Sequence, residues 1–181
     1  QNESSIVGNL VQPLMVRDFG TPEQKAEYIP AMLEGRMRCT FGLTEEHHGS
    51  DATWMDTRAV REKRDGVDGW LINGNKMWTT GAHHHSHCMV FARHSGNDGD
   101  VPADTPGFEV GEYLWTFNMP TDHPKVALKD VWIPEHMVLG DLDYGLALAQ
   151  HFVHENRIRQ AASSLGAAQY CINEAVKYAR E

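Results

Sequence analysis

The sequence predicts an α+β multidomain protein. A helical segment spans residues 1–37, a central β-sandwich or β-barrel domain spans 38–140, and the start of a helical bundle spans 141–181. Three observations carry this. Apolar residues recur at helical spacing up to residue 37, then fall into short runs divided by turn residues, and the helical period returns in a final stretch without proline.

Each element has its own warrant. Leu10, Val11, Leu14 and Met15 share one helical face. Gly20 suits a C-terminal cap, Thr21 an N-cap, Pro22 the first helical position and Gln24 the capping-box position, so a second helix starts there. Its stripe is Tyr28, Ile29, Met32 and Leu33, and Gly35 ends it. Strands are predicted at 38–43, 57–63, 70–78, 87–93, 107–110 and 125–133, the last stopped by Pro134. Asp65-Gly66 and Asp68-Gly69 supply the turn chemistry between the second and third. Beyond Gly140, Leu146, Gln150, Val153, Arg157, Gln160, Ser164 and Ala167 fall on one broad helical face. Proline is absent from 135 to 181 and alanine is common, so one or two long helices are expected.

Bulk properties narrow the class. A chain of 181 residues suffices for one solid core or two smaller ones, and 41% apolar with 23% charged residues is ordinary for a globular protein. A net charge of -9 and a pI near 5.6 argue against a general nucleic-acid or anionic-membrane binder, either of which needs a basic face. No apolar run approaches the length of a membrane span, and Gln1-Asn2-Glu3-Ser4-Ser5 resembles no secretory signal. Gln1 is not an initiator methionine and the last helix carries no stop signal, so an internal piece of a longer protein is expected. Cys39, Cys88 and Cys171 are too few and too scattered for a disulfide framework or a clustered zinc motif. The expected setting is a reducing one, the cytoplasm or, in a eukaryote, the mitochondrial matrix.

Four stretches can carry chemistry. In Phe41-Gly42-Leu43-Thr44-Glu45-Glu46-His47-His48-Gly49-Ser50-Asp51 an apolar run breaks into hydroxyls, acids and one glycine, which suits a polar ligand or a loop that caps its own backbone. Lys76-Met77-Trp78-Thr79-Thr80-Gly81-Ala82 offers a flat indole beside two hydroxyls, either a wall for a planar cofactor or a core tryptophan at a strand end. In His83-His84-His85-Ser86-His87, a strand would turn His83, His85 and His87 to one face as metal ligands, whereas a loop would leave them solvated. His154-Glu155-Asn156-Arg157-Ile158-Arg159 reads as a solvated stripe or as a polar seam facing a ligand.

Together these stretches resemble the acyl-CoA dehydrogenase family over nearly the whole chain. The first looks like that family's signature at the start of its β domain, and Gly69-Trp70-Leu71-Ile72-Asn73-Gly74-Asn75-Lys76-Met77-Trp78-Thr79-Thr80-Gly81 looks like its second block. The helix start Gly20-Thr21-Pro22-Glu23-Gln24-Lys25 is similar too. The resemblance implies FAD between the β domain and the C-terminal helices, completed by another subunit of a homodimer or homotetramer. It implies an acyl-CoA substrate and an electron-transfer flavoprotein as acceptor. Phe41, Leu43 and Thr44 would contact the flavin, the latter two through backbone and hydroxyl. Gly49 and Ser50 would serve the pyrophosphate, Ser50 also the acyl-CoA. Trp78 would pack on the isoalloxazine, with Thr79 and Thr80 near its reactive edge, while Asn156 and Arg157 would lie near the substrate.

The implied reaction removes the α-proton of an acyl thioester while a hydride leaves the β-carbon. A same-fold oxidase or monooxygenase, a metal-binding β domain built on His83–His87, and an inert interaction subunit are the competing readings.

Three departures from the family pattern stand out. Glu46, His47 and His48 replace a small neutral pair, adding charge near an anionic cofactor. Asn97-Asp98-Gly99-Asp100 runs into Val101-Pro102 where members carry an apolar strand, so a missing strand is expected between Asp100 and Val101. The glutamate that most members use as base would fall beyond Glu181. Members that carry it on the helix corresponding to 146–162 place it at the position of Asn156. Glu155 is a neighbouring candidate, a quarter turn or more off that face.

Overall fold

The computed structural model describes residues 11–94, 98–102, 106–115 and 122–180. Helices α1 (Val11–Phe19) and α2 (Pro22–Leu33) form where the caps and spacing place them; Leu10 lies outside the described residues. The capping box closes in both directions, Gln24 N donating to Thr21 Oγ1 at 3.2 Å and Thr21 N to Gln24 Oε1 at 2.9 Å. The same glutamine does more than cap. Its buried side-chain amide donates to the His136 and Val138 carbonyls at 2.9 Å each, which fastens the helical pair to the exit of the last strand. Gln12 Nε2 likewise donates to the Cys39 carbonyl at 3.2 Å.

Among the described residues seven strands follow: β1 (Cys39–Gly42), β2 (Arg58–Arg64), β3 (Val67–Lys76), β4 (His87–Phe91), β5 (Asp98–Pro102), β6 (Phe108–Tyr113) and β7 (Pro124–Pro134). They make two sheets, β1-β4-β5 and β2-β3-β7-β6. The second sheet is antiparallel throughout, whereas β1 and β4 pair in parallel. An isolated parallel bridge, Arg58 to Arg93, joins the sheets at one edge. The expected gap at Asp100–Val101 is spanned by β5 itself, which pairs antiparallel with β4 from His87–Pro102 to Phe91–Asp98.

Two cores result, and β4 divides them. Its Cys88 and Val90 join Trp70, Ile72, Val126, Leu128, Val131 and Ile133 between the sheets. Its Met89 and Phe91 point the other way, onto Val11, Met15, Tyr28 and Leu148 of the helices. Alternating side chains therefore face an apolar partner on both sides, which is why β4 contains no polar alternation. Between Ile72 and Gly74 the β3–β7 register shifts, and a Cβ on Gly74 would lie 2.4 Å from Thr57 Oγ1. Only glycine lets the two backbones come that close.

One helix, α3 (Gly145–Tyr178), completes the described chain. Its packed side differs from the expected broad face. Leu148 and Ala149 are buried and Phe152 is half-buried, whereas Leu146, Gln150, Arg157, Gln160, Ser164 and Ala167 are exposed. Small and amphipathic residues recur on several sides of this helix, so spacing alone does not single out the contacting side.

Candidate cofactor site

Where β1 ends, the two motif stretches run side by side. Met77 N donates to the Thr44 carbonyl at 2.9 Å, and Thr40 Oγ1 donates to the Thr80 carbonyl at 2.6 Å. The first bond takes Met77 out of β3, which stops at Lys76 rather than continuing to Trp78 as predicted.

A buried ion pair locks this join. Lys76 Nζ lies 2.8 Å from Glu45 Oε1 and 3.2 Å from the Leu43 carbonyl, and both charged side chains are almost wholly buried. Glu45 also accepts from Asp56 N at 2.5 Å and Thr57 N at 3.0 Å. Burial by itself would raise its pKa. The Lys76 charge, with bonds from Lys76, Thr57 and Asp56, outweighs that and holds the carboxyl below the ordinary glutamate range. Neither residue's role was read from the sequence, although a signal existed. Lys76 shares the strand parity of the inward-facing Trp70 and Ile72, and a lysine on a core face requires a carboxylate.

The side chains that follow are poised rather than packed. Trp78 has φ 56° and is 43% exposed, so a large aromatic is held in the left-handed region with its ring uncovered. A bulky residue there is a backbone outlier, and such strain is kept where a site uses it. Thr79 beside it is fully buried, its amide donating to the Pro124 carbonyl at 3.2 Å, yet its hydroxyl has no partner among the described residues. Thr80 is exposed. Gly81 has φ 75°, its amide donates to the Asp122 carbonyl at 2.8 Å, and a Cβ would strike the His85 ring at 2.9 Å.

From the helical side, Phe152 stacks on Phe41 with ring centroids 3.8 Å apart and planes 8° from parallel. Phe41 also meets Phe91, with ring centroids 4.8 Å apart. Asn156 lies one helical turn beyond Phe152, on the same half-buried side. Glu155 is turned toward α1. His151, one turn before it, is 3.2 Å from Asp18, and Glu155 itself contributes to raising the Arg17 guanidinium, after the bond and charge of Asp18. Arg157 is exposed. Gly49 and Ser50 lie exposed on the β1–β2 loop, with open space where a Gly49 side chain would be. Phe41, Leu43, Thr44, Trp78, Thr79 and Thr80 are thus brought together; Gly49 and Ser50 stand on the loop beyond them.

Of the two readings of the histidine cluster, the strand face is not formed. His83 and His84 belong to a turn, their rings 3.8 Å apart, and only His87 enters β4. Gly81 and its bond to Asp122 start that turn before the strand can extend backward. Burial, and then the Arg38 charge, push the His85 imidazole below its ordinary value. Burial, and then His84, do the same to His83. The donor atoms of Glu45, His48 and Asp56 lie within 4.8 Å of one another, but the Lys76 ammonium already satisfies Glu45 from 2.8 Å.

Among the described residues, no helix is long and apolar enough to cross a membrane. The family model "Acyl-CoA dehydrogenase, middle domain" matches residues 40–131. The rat short/branched chain specific acyl-CoA dehydrogenase of mitochondria is 33% identical over 183 residues, covering 97% of this chain and 41% of that enzyme. Butyryl-CoA dehydrogenase from Megasphaera elsdenii superposes with a TM-score of 0.82 at 29% identity, covering 97% of this chain and 46% of that one. An acyl-CoA dehydrogenase from Bacillus anthracis, solved in complex with FAD, superposes with a TM-score of 0.75 at 25% identity over 81% of this chain and 25% of its own. The chain thus spans less than half the length of these relatives. With the fold, the paired motif stretches and the matched central domain in agreement, this chain belongs to the acyl-CoA dehydrogenase family.

Proposed function

We propose that this chain supplies the flavin wall and part of the acyl-thioester site of an FAD-dependent acyl-CoA dehydrogenase, which introduces an α,β double bond into an acyl-CoA. One observation carries the reading: the buried, partnerless Thr79 hydroxyl beside an uncovered Trp78 held at positive φ. A buried hydroxyl without a partner costs free energy, and a planar heteroatom-rich ring laid against Trp78 would relieve it. In support, a family relative was solved in complex with FAD. When bound, FAD supplies the acceptor for the hydride that leaves the substrate β-carbon.

The chain's own residues bind and orient. Phe41, Leu43 and Thr44 form the floor beside the ring, and the Glu45–Lys76 pair fixes that floor to the Trp78-Thr79-Thr80 turn. Gly49 and Ser50 offer free backbone amides and a hydroxyl to pyrophosphate. Asn156 and Arg157 approach the acyl chain from α3. The proton-abstracting carboxylate is placed outside these 181 residues, since Glu155 lies a quarter turn or more off the Asn156 face. A homodimer or homotetramer completes the flavin site, and an electron-transfer flavoprotein reoxidises it. The compartment is a reducing one, in keeping with cysteines too few and too scattered for a disulfide framework.

The test is anaerobic mixing of the FAD-loaded protein with straight and branched acyl-CoA thioesters. Bleaching of the visible flavin absorption, with appearance of the enoyl-CoA, is expected. A flavin that no acyl-CoA reduces would overturn the reading.

A further inference from the structure

One imidazole ties the turn that follows Trp78 to the first strand. The His85 ring lies against Gly81, where an added Cβ would come 2.9 Å from both Cε1 and Nε2. The His85 amide donates to the Gly81 carbonyl at 3.0 Å, and that of His84 donates to the same oxygen at 2.9 Å. The ring is also hydrogen-bonded to the backbone of Cys39, the first residue of β1. One residue further along β1, Thr40 Oγ1 holds the Thr80 carbonyl. His85 therefore links β1 to the segment Trp78-Thr79-Thr80-Gly81, which is the segment proposed to meet the flavin.

The surroundings of this ring suit one protonation state. His85 Nδ1 is buried and has no partner among the described residues, so the bond to Cys39 belongs to Nε2 as donor. A neutral imidazole then leaves only a lone pair unmatched at Nδ1. An imidazolium has two N–H groups, and the second would be a buried donor with nothing to receive it, which costs the full desolvation of that group. The charged neighbours add to this. Burial opposes a charge on the ring most, and Arg38, just ahead of β1, repels it next. The Cys39 bond and Asp122, just ahead of β7, favour the charge, and His83 within the turn opposes it. The opposing effects prevail, and the group lies below its ordinary value of 6.5. Among the described residues no three donor atoms of this turn lie within 4.8 Å of one another, so its unmatched nitrogens are not gathered around an ion.

We infer that the His85 ring positions the flavin-facing turn against β1, and that protonation of this ring loosens the turn and releases the flavin. The inference rests on the flavin reading above and deepens it. A loosened turn lets the ring meet water and return to its ordinary value, so a proton is taken up as FAD leaves. The contribution of His85 is complete above 6.5 and is lost as pH falls through the lower value it has in the fold.

The test is the FAD dissociation constant of the FAD-loaded protein, read from the fluorescence of released flavin between about pH 8 and about pH 5, the range in which histidine titrates. Below 6.5 the constant is expected to rise by up to about tenfold per pH unit, the slope of one proton. His85→Gln keeps an amide donor for Cys39 but cannot titrate, so at about pH 8 it should hold FAD within about threefold of the wild type and show a flattened profile. His85→Ala should bind more weakly at every pH and be equally flat. His84→Gln, at an exposed side chain, should keep the wild-type slope. A slope is measured within one variant, so a partly unfolded sample does not mimic it. A wild-type affinity that is level across the range would overturn the inference, and so would a His85→Gln variant with the full wild-type slope. The two readings fail separately. A level profile on a flavin that acyl-CoA reduces removes the role of His85 alone, whereas an acid-released flavin that no acyl-CoA reduces keeps that role and removes the dehydrogenase assignment.

Discussion

At Thr79 the apoprotein and the holoprotein should respond in opposite senses to one substitution. Thr79→Val replaces a partnerless buried hydroxyl by a methyl of nearly the same shape, so the apoprotein should be unchanged or gain up to about 1 kcal/mol. If that hydroxyl awaits a flavin, FAD affinity should fall about tenfold; thermal midpoints with and without FAD separate the two effects. Lys76→Met is the harsher change, because it strands Glu45 in a buried setting, and about 3–5 kcal/mol of stability should be lost. The pH dependence should shift with it. In the folded wild type Glu45 lies below the ordinary glutamate value of 4.5, so its contribution is complete above that pH and is lost as pH falls through the lower folded value. Without Lys76 the lowering disappears, and acid destabilisation should begin at higher pH, as denaturant titrations across the acidic range would show. The gap between sequence and structure is clearest at these residues. Trp78 and Thr79 were legible as a possible cofactor wall because an indole beside two hydroxyls has obvious chemistry. The Glu45–Lys76 pair was not, since spacing within each motif says nothing of a contact between residues 31 positions apart.

Among the elements, strands were easier to read than the face of a helix. β3 and β7 follow from alternation and turn residues, and Thr21 with Gln24 located the start of α2 to the residue. The histidine run left a strand face and a solvated loop both open, and the loop reading holds. Four polar residues precede the apolar strand, and Gly81 with its bond to Asp122 turns the chain before they can extend it. The packed side of α3 was hidden for a different reason: it is set by a short patch, Leu148, Ala149 and Phe152 on Phe41, rather than by a continuous stripe. That contact sets where Asn156 and Arg157 stand relative to the flavin wall. Phe152→Ala should therefore cost about 2 kcal/mol and loosen the start of α3 from β1. It should impair acyl-CoA turnover beyond what its flavin content explains. Arg157→Ala, at an exposed position, should leave stability and flavin content within error and lower turnover; an unaffected rate would remove Arg157 from the site.

Taken as a whole molecule, the described chain is packed at one end and bare at the other. Two cores meet through β4, and the helical one extends into α3 only as far as Leu148, Ala149 and Phe152. From residue 160 onward every described position of α3 is exposed, including Leu165, Tyr170 and Ile172. A helix without tertiary partners relies on intrinsic propensity, and segments shorter than about 12–15 residues are marginal in water even for alanine-rich sequences. The stretch from 160 to 178 is little longer than that limit, and it contains Gly166, whose added backbone freedom costs about 1 kcal/mol relative to alanine. The β sandwich, by contrast, can open only with both cores. Amide hydrogen exchange on these 181 residues expressed alone should therefore fall into two classes. Amides of β3, β4 and β7 should be protected close to the global unfolding free energy, and those beyond residue 160 should exchange with little protection. Protection beyond 160 that grows with protein concentration would identify self-association through Leu165, Tyr170 and Ile172. Equal protection at all concentrations would show that α3 holds its own structure without a covering partner, and the packing argument for this helix would fail.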